Sequence, residues 1–592
     1  MSNLLDSLHR LSFHQIFSAY FDASERRLVA RSIVIGALVW LVVIALKISV
    51  TWTFETVAAW VDAGPSPWLI GVPLAIGVLI MTFFSGFRTS TVHFRESNGH
   101  LHPLRDVEGD GLERAIALYY SSEPALEQAL LGEEGVAVRW QLPTFSLAFR
   151  KFLATLATLG SGASGGLEAS VGLIGESLAA GLFKPRRRGA LMMRRWRPLR
   201  RFWRWWRSNS PDDLQTAQLS GIAAAVATLL GAPFAAAFFA VEVMYRRRPV
   251  IEKLLYALLS SLVAFLLSSL FLGHVTMFDL HLVARPPVTV EYYVALGVMG
   301  ILVSQIGVYF SWMRAQTSRF FRSGRFNDVQ RNLTGFLLAG VIGVLAAQAS
   351  GHGVDFVLGM GETTIDAALA GELTVQLALI AFAGKMLATL ATIGAGGSAG
   401  LLVPSIFLGT MIAAAVAPLF SLQPVQLMIP AVTASLVSIV NVPIAATLLV
   451  VELFGSTYLV PSLVVLVLTL IVTHNTSIYR TQREHNEKRE ILPGYSVRRV
   501  EVPSAWTGKT VADLQIRARY GLNVIGLMEE HTFDDHVHHH LALNPSVNRP
   551  LTKGDVLLLL GEDPVLDQFQ SHMHHDLAEN ENDDNFVQSR IV

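Results

Sequence analysis

The 592-residue chain contains no cysteine, which excludes disulfides, thiolate metal sites and redox chemistry through thiols. Charge is also scarce. Asp, Glu, Lys and Arg together make up 16% of the residues against 52% hydrophobic, and 46 basic side chains balance 46 acidic ones. So apolar a chain, with its apolar residues in long uninterrupted runs, is a polytopic membrane protein rather than a soluble globular one. No phosphate-binding glycine loop and no nucleophile beside a base stands out, so the sequence does not read as an enzyme.

Clear apolar spans run from Ser32 to Val50, Trp68 to Phe84, Leu254 to Leu272, Val290 to Trp312, Leu333 to Ala347, Val375 to Ile393 and Leu459 to Val472. Shorter pieces between them have the length of segments that re-enter or break, so more than ten membrane segments are expected. Residues 1–28 are polar and amphipathic without a small-residue cleavage site, and are read as a cytoplasmic segment rather than a signal peptide. Lys184 to Arg207 holds ten arginines and one lysine, interleaved with Trp196, Trp203, Trp205 and Trp206. Interfacial tryptophans and the positive-inside rule explain this loop better than nucleic acid does, and Arg246, Arg247 and Arg248 mark a second cytoplasmic end. The expected location is a bacterial inner membrane, with both termini in the cytoplasm.

Two stretches 234 positions apart are near copies: KFLATLATLGSGASGGLEASVGLIG from Lys151 and KMLATLATIGAGGSAGLLVPSIFLG from Lys385, identical at 13 of 25 positions. Each is an apolar segment that breaks at a glycine/serine turn and resumes. Paired interruptions of this kind point to a transport site, because half-helix N-termini then face a bound anion near the midplane. The copies differ where Glu168 is matched by Leu402. A weaker repeat pairs GAPFAAAFFAVEVM from Gly231 with NVPIAATLLVVELF from Asn441, matching Pro233 to Pro443 and Glu242 to Glu452. The expected fold is therefore an all-α polytopic membrane protein with inverted internal repeats over residues 29–480. A linker over 481–494, a small α+β cytoplasmic domain over 495–575 and an acidic, disordered tail over 576–592 follow. In the small domain, VRRVEVP, NVIGLME and DVLLLLG read as strands and TVADLQIRARY as one amphipathic helix.

The membrane part resembles the CLC family of chloride channels and proton-coupled chloride antiporters. The family's Gly-Arg-Glu-Gly-Pro is similar to Gly166-Leu167-Glu168-Ala169-Ser170, which keeps the glutamate and loses the arginine and proline. The resemblance implies that Glu168 is a gate, a carboxylate that occupies an anion site and leaves when protonated; the plainer role is a helix cap. Gly-Gly-Ile-Phe-Ala-Pro resembles Ala399-Gly400-Leu401-Leu402-Val403-Pro404, implying that the amides of Leu401 and Leu402 face the anion together with those of Gly166 and Leu167. Gly-Ser-Gly-Ile-Pro resembles Gly109-Asp110-Gly111-Leu112-Glu113, where Asp110 stands for a serine that donates to the anion. An ionised aspartate there repels chloride, so Asp110 is either protonated, or turned away, or outside the site. Tyr479, on a final helix, is placed to donate a phenol to the same anion; an interfacial aromatic is its plainer reading.

Antiporters of this family carry a second acidic residue after the glutamate that Glu242 matches, and here that place is Val243. The valine implies a lost proton relay and a channel. The first alternative is a proton/chloride antiporter relaying through Glu176 or Glu242, and the second a ligand-sensing membrane protein with a vestigial pore. The C-terminal domain resembles the TrkA-C lobe through Trp506 to Leu514, Asn544-Pro545 and Leu551 to Leu557, implying a homodimer and a small-nucleotide effector. His536, His538, His539 and His540 beside Asp534 and Asp535, and His572, His574, His575 and Asp576 further on, could bind a metal or sense pH but read better as solvated polar loop, and no metal site is expected.

Overall fold

Among the described residues, proline and glycine punctuation divides the apolar sequence into two runs of eight helices. The computed structural model describes residues 23–86, 91–95, 101–121, 142–183, 211–244, 251–273, 284–324, 326–473, 477–479, 481–482, 489–492, 495–503, 506–533, 536–543, 545–552, 555–562, 565–566 and 569. The arginine-rich stretch 184–207, Arg246 to Arg248 and the histidines after 570 lie outside them.

The first run comprises α1 (Ala23–Asp62), α2 (Gly71–Gly86), α3 (Leu112–Tyr120), α4 (Phe145–Gly160), α5 (Glu168–Phe183), α6 (Pro211–Leu230), α7 (Pro233–Glu242) and α8 (Leu254–Leu272). A hairpin of β1 (Thr91–Arg95) and β2 (Leu101–Arg105) joins α2 to α3. The second run repeats the helix order as α9 (Val290–Phe321), α10 (Asp328–Ser350), α11 (Glu362–Leu369), α12 (Val375–Gly394), α13 (Leu402–Val416), α14 (Pro424–Ile439), α15 (Pro443–Phe454) and α16 (Leu459–Thr473). Helix starts follow local chemistry. Pro233, Pro424 and Pro443 sit in the first turn, where the missing N–H costs nothing, and Asn327 and Gln330 cap α10 reciprocally.

Eight helical segments among the described residues are long and apolar enough to cross a membrane. Their burial sorts them. The Leu402–Phe420 span is 83% buried and the Leu254–Leu272 span 28%, so α13 is core and α8 is periphery. Leu270, Phe271, Val467 and Ile471 stand exposed on peripheral helices, an apolar surface suited to lipid. At the centre, α5 and α6 pack so closely that a Cβ on Gly175 would lie 2.2 Å from the Gly221 carbonyl oxygen.

The chain divides into two compact units, of which the second holds the C-terminal sheet. Its strands β3 (Arg489–Leu492), β4 (Tyr495–Glu501), β5 (Asn523–Phe533), β6 (His536–Leu543) and β7 (Val556–Glu562) form an antiparallel sheet in the order β3-β4-β7-β5-β6. Leu557 and Leu559 of β7 meet Leu514, Ile516, Leu522 and Phe569 in its core. Four sequence readings change here. TVADLQIRARY is two short helices, α17 (Val511–Leu514) and α18 (Ile516–Tyr520), because Gln515 takes a left-handed φ of 48° that no continuous helix allows. His536 to His540 belong to strand β6, paired with β5, rather than to a loop. Strand β3 lies within the stretch read as a linker. Tyr479 follows α16 in a non-helical segment instead of sitting on a helix.

Candidate functional site

The two glycine turns of the repeat meet back to back. The Gly166 N–H donates to the Gly400 carbonyl at 2.8 Å and the Gly400 N–H returns a bond to Gly166 at 2.6 Å, a one-residue antiparallel bridge. Around it two side-chain bonds each have a twin 234 residues away. The Ser164 N–H donates to Thr392 Oγ1 (3.2 Å) and the Ser398 N–H to Thr158 Oγ1 (3.1 Å). Hydroxyls of Ser164 and Thr389 lie 3.0 Å apart, as do those of Thr155 and Ser398. Buried in apolar surroundings, these reciprocal bonds hold the N-termini of α5 and α13 together, and with them two sets of unpaired helix amides.

Glu168 is the first residue of α5 and only 4% exposed. Its Oε2 is buried with no hydrogen-bond partner and lies 2.6 Å from where a Cβ on Gly166 would stand. The same point is 3.1 Å from Pro404 Cδ and 3.2 Å from Val403 Cβ, so the carboxylate is folded over its own turn against the start of α13. Any side chain at 166 would expel it. The Val403 amide also acts on the carboxylate. Leu167, Leu401 and Leu402 are buried around this point, with Leu401 at the N-cap of α13. A carboxylate seated at two helix N-termini occupies a place that suits a free anion equally well.

Asp110 and Tyr479, which the sequence resemblance assigns to the same anion, are bonded to each other. The Tyr479 hydroxyl donates to Asp110 Oδ2 at 2.9 Å, while Oδ1 accepts from the N–H groups of Leu112 (2.9 Å) and Glu113 (3.4 Å) at the start of α3. Tyr479 is fully buried, and its segment is pinned by Ile478 N–H to the Ile439 carbonyl (2.7 Å) and by Arg314, which donates to the Ile478 carbonyl (2.6 Å) and pairs with Glu113 (2.9 Å). Ser170 of α5 donates to the Asp110 carbonyl at 3.5 Å, which links this pair to the Glu168 helix. A cavity lined by Asp110, Glu113, Arg105, Arg314, Ser318 and Arg322 opens beside it.

Val243 ends α7 and is fully buried. Its neighbour Glu242 accepts from the N–H groups of Ile444 (3.1 Å) and Ala445 (2.9 Å), and Glu452 accepts from Phe234 (3.1 Å) and Ala235 (2.9 Å). Each glutamate therefore caps the other repeat's proline-started helix. Glu176, buried in α5, accepts from Gln218 (2.7 Å) and Ser177 (2.8 Å).

Sequence reasoning missed the two buried lysines that open the repeat. Lys151 Nζ donates to the carbonyls of Val107 (3.2 Å) and Gly109 (2.8 Å), and Lys385 Nζ to those of Val357 (3.2 Å) and Gly359 (2.7 Å). Their 234-residue spacing and the shared Gly-x-Gly at 109–111 and 359–361 carried the signal. Glu362, at the start of α11, interacts electrostatically with Lys385 and Glu168. No cluster able to hold a metal ion occurs among the described residues.

Residues 497–574 match the TrkA-C domain model. The H(+)/Cl(-) exchange transporter ClcA of Vibrio parahaemolyticus is 24% identical over 303 residues, 48% of this chain and 63% of that protein. A chloride/fluoride channel protein of Pseudomonas syringae is 25% identical over 287 residues, 48% of this chain and 61% of that one. The aligned part thus spans about three fifths of the length of these curated relatives. The crystal structure of a CLC-type fluoride/proton antiporter superposes with a TM-score of 0.57 at 19% identity, covering 80% of this chain and all of that one, and so shares the fold. Residues 117–474, more than half the chain, match the voltage gated chloride channel family model, and the chain belongs to that family.

Proposed function

We propose that the chain exchanges a small monovalent anion, chloride in the first instance, for protons across a bacterial inner membrane. The carrying observation is the Glu168 carboxylate, buried on paired helix N-termini with Oε2 unpartnered. Ionised, it competes with an anion for the amides at the Gly166 and Leu401–Leu402 turns. Protonated, it gives up that claim, so anion entry and proton uptake become alternatives at one place. Similarity to H(+)/Cl(-) exchange transporters supports exchange over an uncoupled channel. One residue favours the channel as a second reading: Val243, buried at the end of α7, cannot carry a proton. Reconstitution of the purified protein separates the readings. Exchange requires that a chloride gradient drive protons uphill into sealed vesicles, and anion flux with no proton movement would establish the channel instead. The protein is proposed to act as a homodimer with cytoplasmic termini, with the TrkA-C domain binding a small nucleotide.

A further inference from the structure

The end of α7 offers no proton carrier, because Val243 is apolar and Glu242 is committed to the amides of α15. Glu176 faces Gln218 and its own neighbour Ser177. Asp110 differs from these carboxylates in one respect: it is 2% exposed yet lines a cavity. Its described hydrogen-bond partners are donors that would serve any small anion, namely the Leu112 and Glu113 amides and the Tyr479 hydroxyl. The charged and titratable groups facing it are Arg314 of α9, Glu113 of α3, Lys151 of α4 and the Tyr479 phenol, and Arg314 is paired with Glu113. Arg105, Arg322 and Glu108 line the same cavity, and Arg105 is paired there with Glu108 (3.2 Å) and with Asp328 (2.8 Å). A neutral serine or asparagine would cap α3 as well, so capping alone does not call for a buried charge.

We infer that Asp110 is a tethered anion that closes the Tyr479 end of the pathway, and that it is the proton acceptor at that end of the exchange cycle. The inference rests on the exchange reading for its second half only. In the cycle, a proton entering through the cavity adds to an Asp110 oxygen and gives the neutral acid, which loosens its hold on the Leu112 and Glu113 amides and the Tyr479 hydroxyl. A diffusible anion then takes those donors. When the proton departs toward Glu168, the carboxylate re-forms and displaces the anion. One proton enters and one leaves, and no other bond changes.

Two experiments on the full-length protein test this. Chloride binding is measured by calorimetry in the Glu168→Gln background, which removes the other site carboxylate, at about pH 5 and about pH 8. Affinity should weaken about tenfold or more at the higher pH, since an ionised competitor holds the site. It should be flat in Glu168→Gln/Asp110→Asn and in Glu168→Gln/Asp110→Ser, two variants that keep a capping group for α3. A flat profile in Glu168→Gln itself, or pH dependence that survives in both double variants, overturns the tethered anion. In vesicles, Asp110→Asn should lower the ratio of protons to chloride toward zero, and a wild-type ratio overturns the acceptor role. If the wild-type protein moves no protons, the exchange reading and the acceptor role fail together while the binding experiment still decides whether Asp110 competes with chloride.

Discussion

Gly166 and Gly400 exchange both of their backbone hydrogen bonds, at 2.8 and 2.6 Å, and so place the symmetry of the duplicated sequence at the point where two helix N-termini meet. The bond pair explains why the turns are glycine-rich. A Cβ on Gly166 would press into the Glu168 carboxylate, and one on Gly400 would lie 3.0 Å from the Ala169 nitrogen. The carboxylate that lies against this bridge is that of Glu168.

The first prediction concerns that group. Glu168→Gln keeps the size of the side chain and removes its charge, so the donors at the turns become available to the anion at every pH. Anion flux in vesicles should lose its pH dependence at this site, and chloride-driven proton movement should fall to background. Chloride-driven proton pumping by the variant at the wild-type rate would show that Glu168 is only a helix cap.

The second prediction separates holding from relaying. Glu242 and Glu452 each accept two backbone N–H groups from the opposite repeat, an arrangement that ties α7 to α15. Replacing either by Gln leaves one acceptor oxygen and sets an amide NH2 against a donor, costing about 1–3 kcal/mol of stability each. Thermal unfolding in detergent should show both losses, while the proton-to-chloride ratio stays as in the unaltered protein. A ratio that collapses in Glu242→Gln alone would make Glu242 a proton carrier.

How much of this was legible beforehand differs between the parts. The duplication from Lys151 and Lys385 located the paired turns, because near-identical sequence demands near-identical backbone, and Glu168 stood out as the one charge that broke the match. The matched Glu242 and Glu452 were visible as a pair, but their exchange of caps depends on how two helices lie in space. The Asp110–Tyr479 bond joins residues 369 positions apart, and no local pattern encodes it. Lys151 and Lys385 open the two copies of the repeat, but a lysine in an apolar helix gives no hint that its ammonium reaches turn carbonyls. In the small domain, strand period was legible in DVLLLLG, whereas the break at Gln515 was not, because glutamine is an ordinary helix residue and its left-handed φ is imposed by the fold. The histidine run failed as a strand signal for a related reason: three consecutive polar residues, His538 to His540, hide the alternation that marks a strand.

The last prediction lies in that small domain, where Thr510 and Asp513 cap α17 reciprocally. The Thr510 N–H and hydroxyl both donate to Asp513 Oδ2, at 2.9 and 2.7 Å, and the Asp513 N–H donates back to Thr510 Oγ1 at 3.1 Å. The Thr510 hydroxyl, followed by its amide, holds the Asp513 carboxyl below its ordinary range. A carboxylate whose pKa is lowered by folding stabilises the fold above the unfolded value, and that contribution is lost as pH falls through the folded value. Amide exchange over residues 511–520 in the full-length protein, corrected for intrinsic rates, should therefore quicken as the solution is acidified through this range. Asp513→Asn should remove the added acid sensitivity. Thr510→Ala should speed exchange roughly threefold to tenfold at neutral pH, the usual effect of losing a cap. Because α17 is only one turn long and is followed by the strained Gln515, the cap is the main local restraint on its start. Unchanged exchange in Thr510→Ala would mean that the core contacts of Leu514 and Ile516 alone fix this segment.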